Sequence, residues 1–197
     1  GFRLIFSFES GSRIQNIWLL DAEKGTLEQV TENEDTAVTE DMLTEPVLCR
    51  CQSFDGLEIP YWLYIPKGMP AKNLPVAVYI HGGPESQIRR FYEETIQYLV
   101  SEGIAVAAPN VRGSSGYGKT YLDLDNKEKR LDAVKDIEAL VEHLTETKTA
   151  DPGRMAVFGR SYGGYMTLSC AARMPKLWAC AVEVVGMFNL VSFLKHT

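Results

Sequence analysis

The residues best suited to chemistry form the segment Gly159-Arg160-Ser161-Tyr162-Gly163, which fits the pattern G-x-S-x-G. In this pattern a serine lies on a sharp turn between a strand and a helix, where its backbone is strained and its hydroxyl stands clear of the sheet. The flanking glycines leave room for neighbouring elements. The amide of Tyr162 and the positive end of the following helix would point to the same place. The pattern predicts that Ser161 is a nucleophile; an incidental serine in a tight glycine-rich turn is the alternative.

A second segment could complete an oxyanion hole. The apolar run at 75–80 is followed by His81-Gly82-Gly83-Pro84. Glycines let the backbone approach a developing negative oxygen, so the amide of Gly83 is predicted to act beside that of Tyr162. His81 stands at the strand end, where its ring can fix the loop through hydrogen bonds. That structural role is favoured over a catalytic one.

A third segment, residues 110–118, is rich in glycine and serine. Within it, residues 113–120 match the phosphate-binding pattern G-x-x-x-x-G-K-[ST]. A phosphate loop of this kind opens a helix, and residues 121–126 show no convincing helical pattern. A nucleotide-binding protein would also leave the G-x-S-x-G segment unexplained, so it is the weaker hypothesis.

The elements that must position these segments alternate from about residue 47 onward. Short apolar runs are typical of buried parallel strands, and they occur at 75–80, 104–108, 155–158 and 179–185. A pair of strands is predicted before them, at 47–53 and 57–65. Helices are predicted at 88–101, 131–144 and 165–173. This order predicts an α/β fold, with a mostly parallel sheet and helices on both faces.

The first forty residues have a different character. Short runs of aromatic and aliphatic residues at 2–8, 14–20 and 26–31 are separated by turn sequences. They predict a three-stranded meander that is too short to bury its own face. Residues 32–45 are acidic and polar, which indicates a linker.

The composition narrows the class of protein. Of the 197 residues, 45% are hydrophobic and 23% charged, as in a globular protein that can bury a core. A net charge of −6 without a basic cluster argues against a nucleic-acid partner, and no apolar run is long enough to predict a membrane span. The four cysteines lack the spacing of a zinc site and are interpreted as buried free thiols in a reducing compartment. We therefore expect a cytoplasmic location by default, and the initial Gly1 indicates a start internal to a longer protein.

Three segments carry a resemblance to a known family: His-Gly-Gly-Pro at 81–84, Asn-x-Arg-Gly-Ser-Ser-Gly-Tyr-Gly at 110–118 and Gly-x-Ser-Tyr-Gly-Gly-Tyr-Met at 159–166. Together they resemble the prolyl oligopeptidase family of serine peptidases. The resemblance is greatest to its acylaminoacyl-peptidase and dipeptidyl-peptidase-like branches. It implies a truncated α/β-hydrolase fold at 41–197, preceded at 1–40 by part of the last blade of a β-propeller.

The resemblance also implies roles for individual residues. Ser161 would be the acylated nucleophile, and Gly83 and Tyr162 would supply the oxyanion amides. Val185 and Phe188 are candidates for the wall of the pocket that receives the residue before the scissile bond. Core packing is an equally good explanation for those two side chains.

The family places its catalytic acid and base on later strands, in the order Ser, Asp, His. His143, His196 and Glu183 match neither position. Without a base, serine is a poor nucleophile at neutral pH. The chain is therefore predicted to be a serine peptidase for short peptides, inactive as this fragment, with no cofactor and no metal. A carboxylesterase of the same fold and a non-catalytic binding module remain alternatives.

Overall fold

The computed structural model describes residues 1–33 and 38–196, with Leu190 and His196 described by their backbone only. The strands in these residues are β1 (Arg3–Ser10), β2 (Arg13–Asp21), β3 (Thr26–Gln29), β4 (Val47–Gln52), β5 (Glu58–Tyr64), β6 (Leu74–Ile80), β7 (Ala105–Pro109), β8 (Ala150–Arg160) and β9 (Cys180–Val184). The α-helices are α1 (Glu94–Ser101), α2 (Lys119–Leu122), α3 (Asp132–Glu146), α4 (Tyr162–Arg173) and α5 (Leu190–His196). Short 3-10 turns occupy Asp123–Asp125, Lys127–Leu131 and Pro175–Leu177.

The main sheet has six strands in the order β4-β5-β7-β6-β8-β9. The strands β7, β6, β8 and β9 are parallel to one another, and the β4–β5 pair joins them antiparallel through β7. This is the mostly parallel sheet that the alternation of elements predicted.

Helices cover both faces of this sheet, which explains the continuous apolar run of β6. Val76 and Val78 belong to the cluster of buried residues that includes α3 and α4, whereas Ala77 belongs to the cluster that includes α1. Successive side chains of a strand point to opposite faces, so a strand covered on both sides must be apolar at every position.

The N-terminal strands form a separate antiparallel sheet in the order β1-β2-β3, as the meander prediction required. The neighbouring side chains of Ile5 and Phe6 are both exposed, so the sheet presents apolar groups on both faces. Buried Gln97 of α1 links this sheet to the larger one. Its amide donates to the carbonyl oxygens of Gly11 at 2.7 Å and Thr44 at 2.9 Å and accepts the Thr44 amide at 2.8 Å.

Some predicted boundaries are wrong. The helix predicted from residue 88 begins at Glu94. Asn110, at the end of the neighbouring strand, binds the backbone of Ile88 through both amide groups, with Oδ1 accepting at 2.7 Å and Nδ2 donating at 2.9 Å. These long-range bonds hold residue 88 outside the helix. Conversely, α4 begins at Tyr162 rather than 165, and α5 was not predicted.

Candidate active site

Ser161 lies between the last residue of β8 and the first residue of α4. Its backbone angles are φ 58° and ψ −119°, a strained conformation for a residue with a side chain. Its amide donates to the carbonyl oxygen of Val184 in β9 at 2.9 Å, and its side chain is exposed. The serine is therefore fixed on a strained turn at the carboxyl ends of the parallel strands, as the G-x-S-x-G pattern predicted.

The loop after β6 lies against this turn. A methyl group added at Gly82 would come within 3.7 Å of the Cβ atom of Ser161. Gly83 has φ 132°, and a methyl group there would lie only 2.9 Å from the amide nitrogen of Glu85, so the loop requires glycine. As the first residue of α4, Tyr162 has an amide with no acceptor inside the helix. The structure thus places the two predicted oxyanion donors on segments adjacent to Ser161; their role stays a prediction.

The ring of His81 is buried and fixes two loops together. Its Nδ1 atom lies 2.6 Å from the carbonyl oxygen of Gly82, and its Nε2 atom lies 2.9 Å from Ser114 Oγ. Burial lowers the pKa of His81, which favours the neutral ring. These contacts are the loop-fixing kind that the sequence favoured for this histidine, and they occupy both ring nitrogens.

The loop at 110–118 is anchored by a buried ion pair and does not resemble a phosphate site. Arg112 donates through Nη2 to Asp136 Oδ1 at 2.8 Å and through Nη1 to exposed Asp55 at 2.9 Å. The space above Gly113 is filled by the carboxylate of Asp125, with Oδ2 only 2.5 Å from where a methyl group would stand. A carboxylate in this position repels phosphate, and α2 has only four residues, so the phosphate-loop hypothesis gains no support.

The segment after β9 holds the two pocket candidates close to the turn. Gly186 packs against α4, since a methyl group on Gly164 would lie 2.7 Å from the Cα atom of Gly186. Val185 directly precedes Gly186, and Phe188 lies two residues after it; their side chains are 69% and 81% exposed. Within the described residues they are not core side chains, and their place in a substrate pocket stays a prediction.

Two charged residues that the sequence analysis did not single out also reach the turn. The hydroxyl of Tyr162 donates to Asp125 Oδ2 at 3.2 Å, and Arg130 Nη1 donates to the same hydroxyl at 3.3 Å. Asp125 and Arg130 lie in 3-10 turns without a periodic sequence pattern, so no sequence signal pointed to them.

A general base for Ser161 is not found among the side chains that the structure describes. His143 lies on α3 with its ring 6.1 Å from that of Tyr61. Glu183 accepts the amide of Gly186 at 2.7 Å. The position of the His196 side chain lies outside the described part of the chain.

Among residues 1–33 and 38–196, no group of three or more histidine, cysteine, aspartate or glutamate side chains is arranged to hold a metal ion. None of the described helices combines the length and the apolar character needed to cross a membrane. All four cysteines are free. Cys51 and Cys170 are buried as expected, whereas Cys49 is half-buried and Cys180 is exposed.

Comparison with known proteins agrees with the sequence motifs. Residues 89–197 match the family model described as the Prolyl oligopeptidase family. Dipeptidyl aminopeptidase BIII of Pseudoxanthomonas mexicana is 31% identical over 149 residues, which cover 72% of this chain and 22% of that protein. The acylamino-acid-releasing enzyme of Sus scrofa is 30% identical over 146 residues, which cover 73% of this chain and 20% of that protein.

Among solved structures, a puromycin hydrolase superposes with a TM-score of 0.88 at 28% identity, covering 99% of this chain and 30% of that one. An acylaminoacyl peptidase of Pyrococcus horikoshii superposes with a TM-score of 0.76 at 28% identity, covering 90% of this chain and 28% of that one. The chain therefore spans less than a third of the length of each of these proteins.

Proposed function

The chain belongs to the prolyl oligopeptidase family, and we propose that it is the part of a serine peptidase that carries the nucleophile and the oxyanion hole. One observation carries the proposal: Ser161 is held on a strained strand-to-helix turn with a glycine loop packed against it. Strain of this kind persists only where the surrounding structure enforces it, and it is concentrated at functional sites. The names of the relatives, a dipeptidyl aminopeptidase and an acylamino-acid-releasing enzyme, support short peptides as the substrate class.

The proposed reaction proceeds through an acyl-enzyme. The Oγ atom of Ser161 attacks the carbonyl carbon of the scissile peptide bond while a base takes its proton. The amides of Gly83 and Tyr162 stabilise the negative oxygen of the tetrahedral intermediate. The amine then leaves with that proton, and water hydrolyses the ester on Ser161. Val185 and Phe188 would contact the residue before the scissile bond.

We further propose that these 197 residues do not turn over peptides by themselves. Both described histidine rings have partners other than Ser161: His81 contacts Ser114 of the loop at 110–118, and His143 contacts Tyr61. The chain spans only 20–22% of its curated peptidase relatives, which leaves room elsewhere for the acid and the base. The meander would be the end of a β-propeller, a proposal that its apolar exposed faces support. Four unpaired cysteines support a reducing compartment such as the cytoplasm.

The experiment is active-site labelling of the full-length protein with a fluorophosphonate probe. We expect the wild type to be labelled on Ser161, the Ser161→Ala variant to be unlabelled, and Ser101→Ala, which removes an exposed hydroxyl on α1, to be labelled normally. Labelling that survives Ser161→Ala would refute Ser161 as the nucleophile.

Turnover then separates the alternatives. Hydrolysis of peptide amides supports the peptidase, and hydrolysis of short-chain esters alone supports a carboxylesterase. A folded full-length protein without labelling or turnover would support the binding module instead.

A further inference from the structure

Tyr162 is the anchoring side chain of the nucleophile turn. Arg160 and Ser161 are exposed, and Gly159, Gly163 and Gly164 have no side chains. The ring of Tyr162 is 4% exposed. Of the residues from 159 to 164, it is therefore the one whose side chain packs into the protein and can fix the orientation of the turn.

The polar end of this ring is held from two sides. The hydroxyl donates to Asp125 Oδ2 at 3.2 Å and accepts from Arg130 Nη1 at 3.3 Å, so both hydrogen-bonding functions of the phenol are used. The guanidinium carbon of Arg130 lies 5.3 Å from the ring centroid, and Arg130 also forms an ion pair with Asp125. Burial raises the pKa of Tyr162, so the hydroxyl keeps the proton that it donates.

Asp125 is itself fixed in place. It is 2% exposed and fills the space over Gly113, where φ is 91° and a methyl group would overlap the carboxylate. The carboxylate is thus held between the loop at 110–118 and the ring of Tyr162. It cannot turn toward solvent without leaving this space empty.

We propose that Asp125 and Arg130 are positioning residues of the oxyanion hole, which hold the Tyr162 side chain and thereby aim its backbone amide. The inference rests on the proposed function, because it assumes that this amide receives the oxyanion. The peptide unit joining Ser161 to Tyr162 follows a strained residue, and such a residue relaxes unless its neighbours hold it. The backbone of the turn is held by the bond from the Ser161 amide to Val184, and the buried side chain of Tyr162 adds a restraint directly after that peptide unit.

The test is Tyr162→Phe in the full-length enzyme, which keeps the amide and the ring and removes only the hydroxyl. Complete loss of one oxyanion donor lowers kcat by about 10²–10³, so we expect a displaced donor to lower kcat by about tenfold. KM should not change, because the amide acts on the transition state and not on bound substrate. The affinity for a peptide aldehyde, which forms a tetrahedral adduct, should fall by the same factor as kcat.

Two aspartate variants extend the test. We expect Asp125→Ala to lower kcat as Tyr162→Phe does, and the double variant to show no further loss, since both remove the same contact. Asp125→Asn keeps an acceptor oxygen for the phenol and should recover most of the activity. Independent, multiplicative losses would contradict a shared role.

The matched control is Tyr121→Phe. Tyr121 is also buried, and its hydroxyl donates to the carbonyl oxygen of Asn110 at 2.7 Å without touching Tyr162. We expect this variant to lose a similar amount of thermal stability but to keep its kcat. Equal losses of kcat in the two variants, or a raised KM with an unchanged kcat for Tyr162→Phe, would overturn the inference.

Different results would overturn the positioning role of Asp125 and Arg130 and the proposed function of Ser161. Wild-type labelling on Ser161 together with an unchanged kcat in Tyr162→Phe overturns the positioning role and leaves the proposed function intact. Absence of labelling on Ser161 in the active wild type overturns both.

Discussion

Replacing Gly159 with alanine tests the packing that holds the nucleophile turn in place. Gly159 is the penultimate residue of β8, and a methyl group there would lie 2.5 Å from the carbonyl oxygen of Gly163 and 2.8 Å from that of Ile80. Non-bonded carbon and oxygen atoms stay about 3.3 Å apart or more. The methyl group would therefore overlap these atoms by about 0.8 Å and about 0.5 Å.

Neither overlap can be relieved by a side-chain rotation. Both oxygens belong to the backbone, one in α4 and one at the end of β6. The two proposed oxyanion donors are the first residue of α4, Tyr162, and Gly83 in the loop after β6. Overpacking a core costs about 1–3 kcal/mol, so we expect the free energy of unfolding to fall by about 2 kcal/mol. A misplacement of about 1 Å in an active site lowers the rate by about a hundredfold, so we expect a kcat loss of roughly tenfold to a hundredfold.

The assay measures fluorophosphonate labelling rate, peptide turnover and thermal unfolding of the full-length protein. Gly153→Ala is the matched control in the same strand, because its methyl group would lie 3.4 Å from Asp151 Oδ1, an ordinary contact with a side-chain atom. The control should behave as the wild type in all three measurements. If Gly159→Ala also labels, turns over and melts as the wild type does, the close packing of Gly159 against Gly163 and Ile80 is refuted.

Three further predictions concern buried polar groups. Arg112→Leu leaves the buried Asp136 without its cation and should lower the free energy of unfolding by about 3–5 kcal/mol in urea titration, with partial recovery when both become leucine. Burial raises the pKa values of Cys51 and Cys170 to about 12, so a thiol reagent at pH 8 should modify both only after unfolding, as mass spectrometry would report. Burial lowers the pKa of His81, so the unfolded state binds more protons than the folded state, and the free energy of unfolding should fall as the pH drops below about 6.5. Urea titrations at pH 7 and pH 5 would measure this fall, and His81→Asn should make it smaller.

The structure of the short motifs could be predicted from the sequence because each motif restricts the backbone locally. An apolar run leading into G-x-S-x-G predicted the turn at Ser161, and the observed φ of 58° is the strain that this turn requires. The glycines after β6 predicted a loop close to the nucleophile, and Gly82 does lie against Ser161. The continuous apolar runs predicted the parallel sheet, because a strand that is covered on both faces buries every side chain and therefore has apolar residues at successive positions.

Helix boundaries that depend on contacts between distant parts of the sequence could not be predicted. The apolar residues from 88 onward have a helical pattern, yet Ile88 is bound by the side chain of Asn110, 22 residues away in the sequence. A local pattern carries no information about that bond. The helix accordingly begins at Glu94, after the segment that is bound to Asn110.

The sequence by itself determined the strained turn at Ser161, the glycine loop beside it and the class of fold, since these follow from conformations that few residue types tolerate. Only the tertiary structure decided what holds Tyr162. Asp125 and Arg130 lie 37 and 32 residues before it, in turns without a regular period, and they reach the same hydroxyl. The 3-10 turn that carries Asp125 packs over Gly113 of the loop at 110–118. Their position depends on packing between segments, and packing of that kind leaves no periodic trace in the chain.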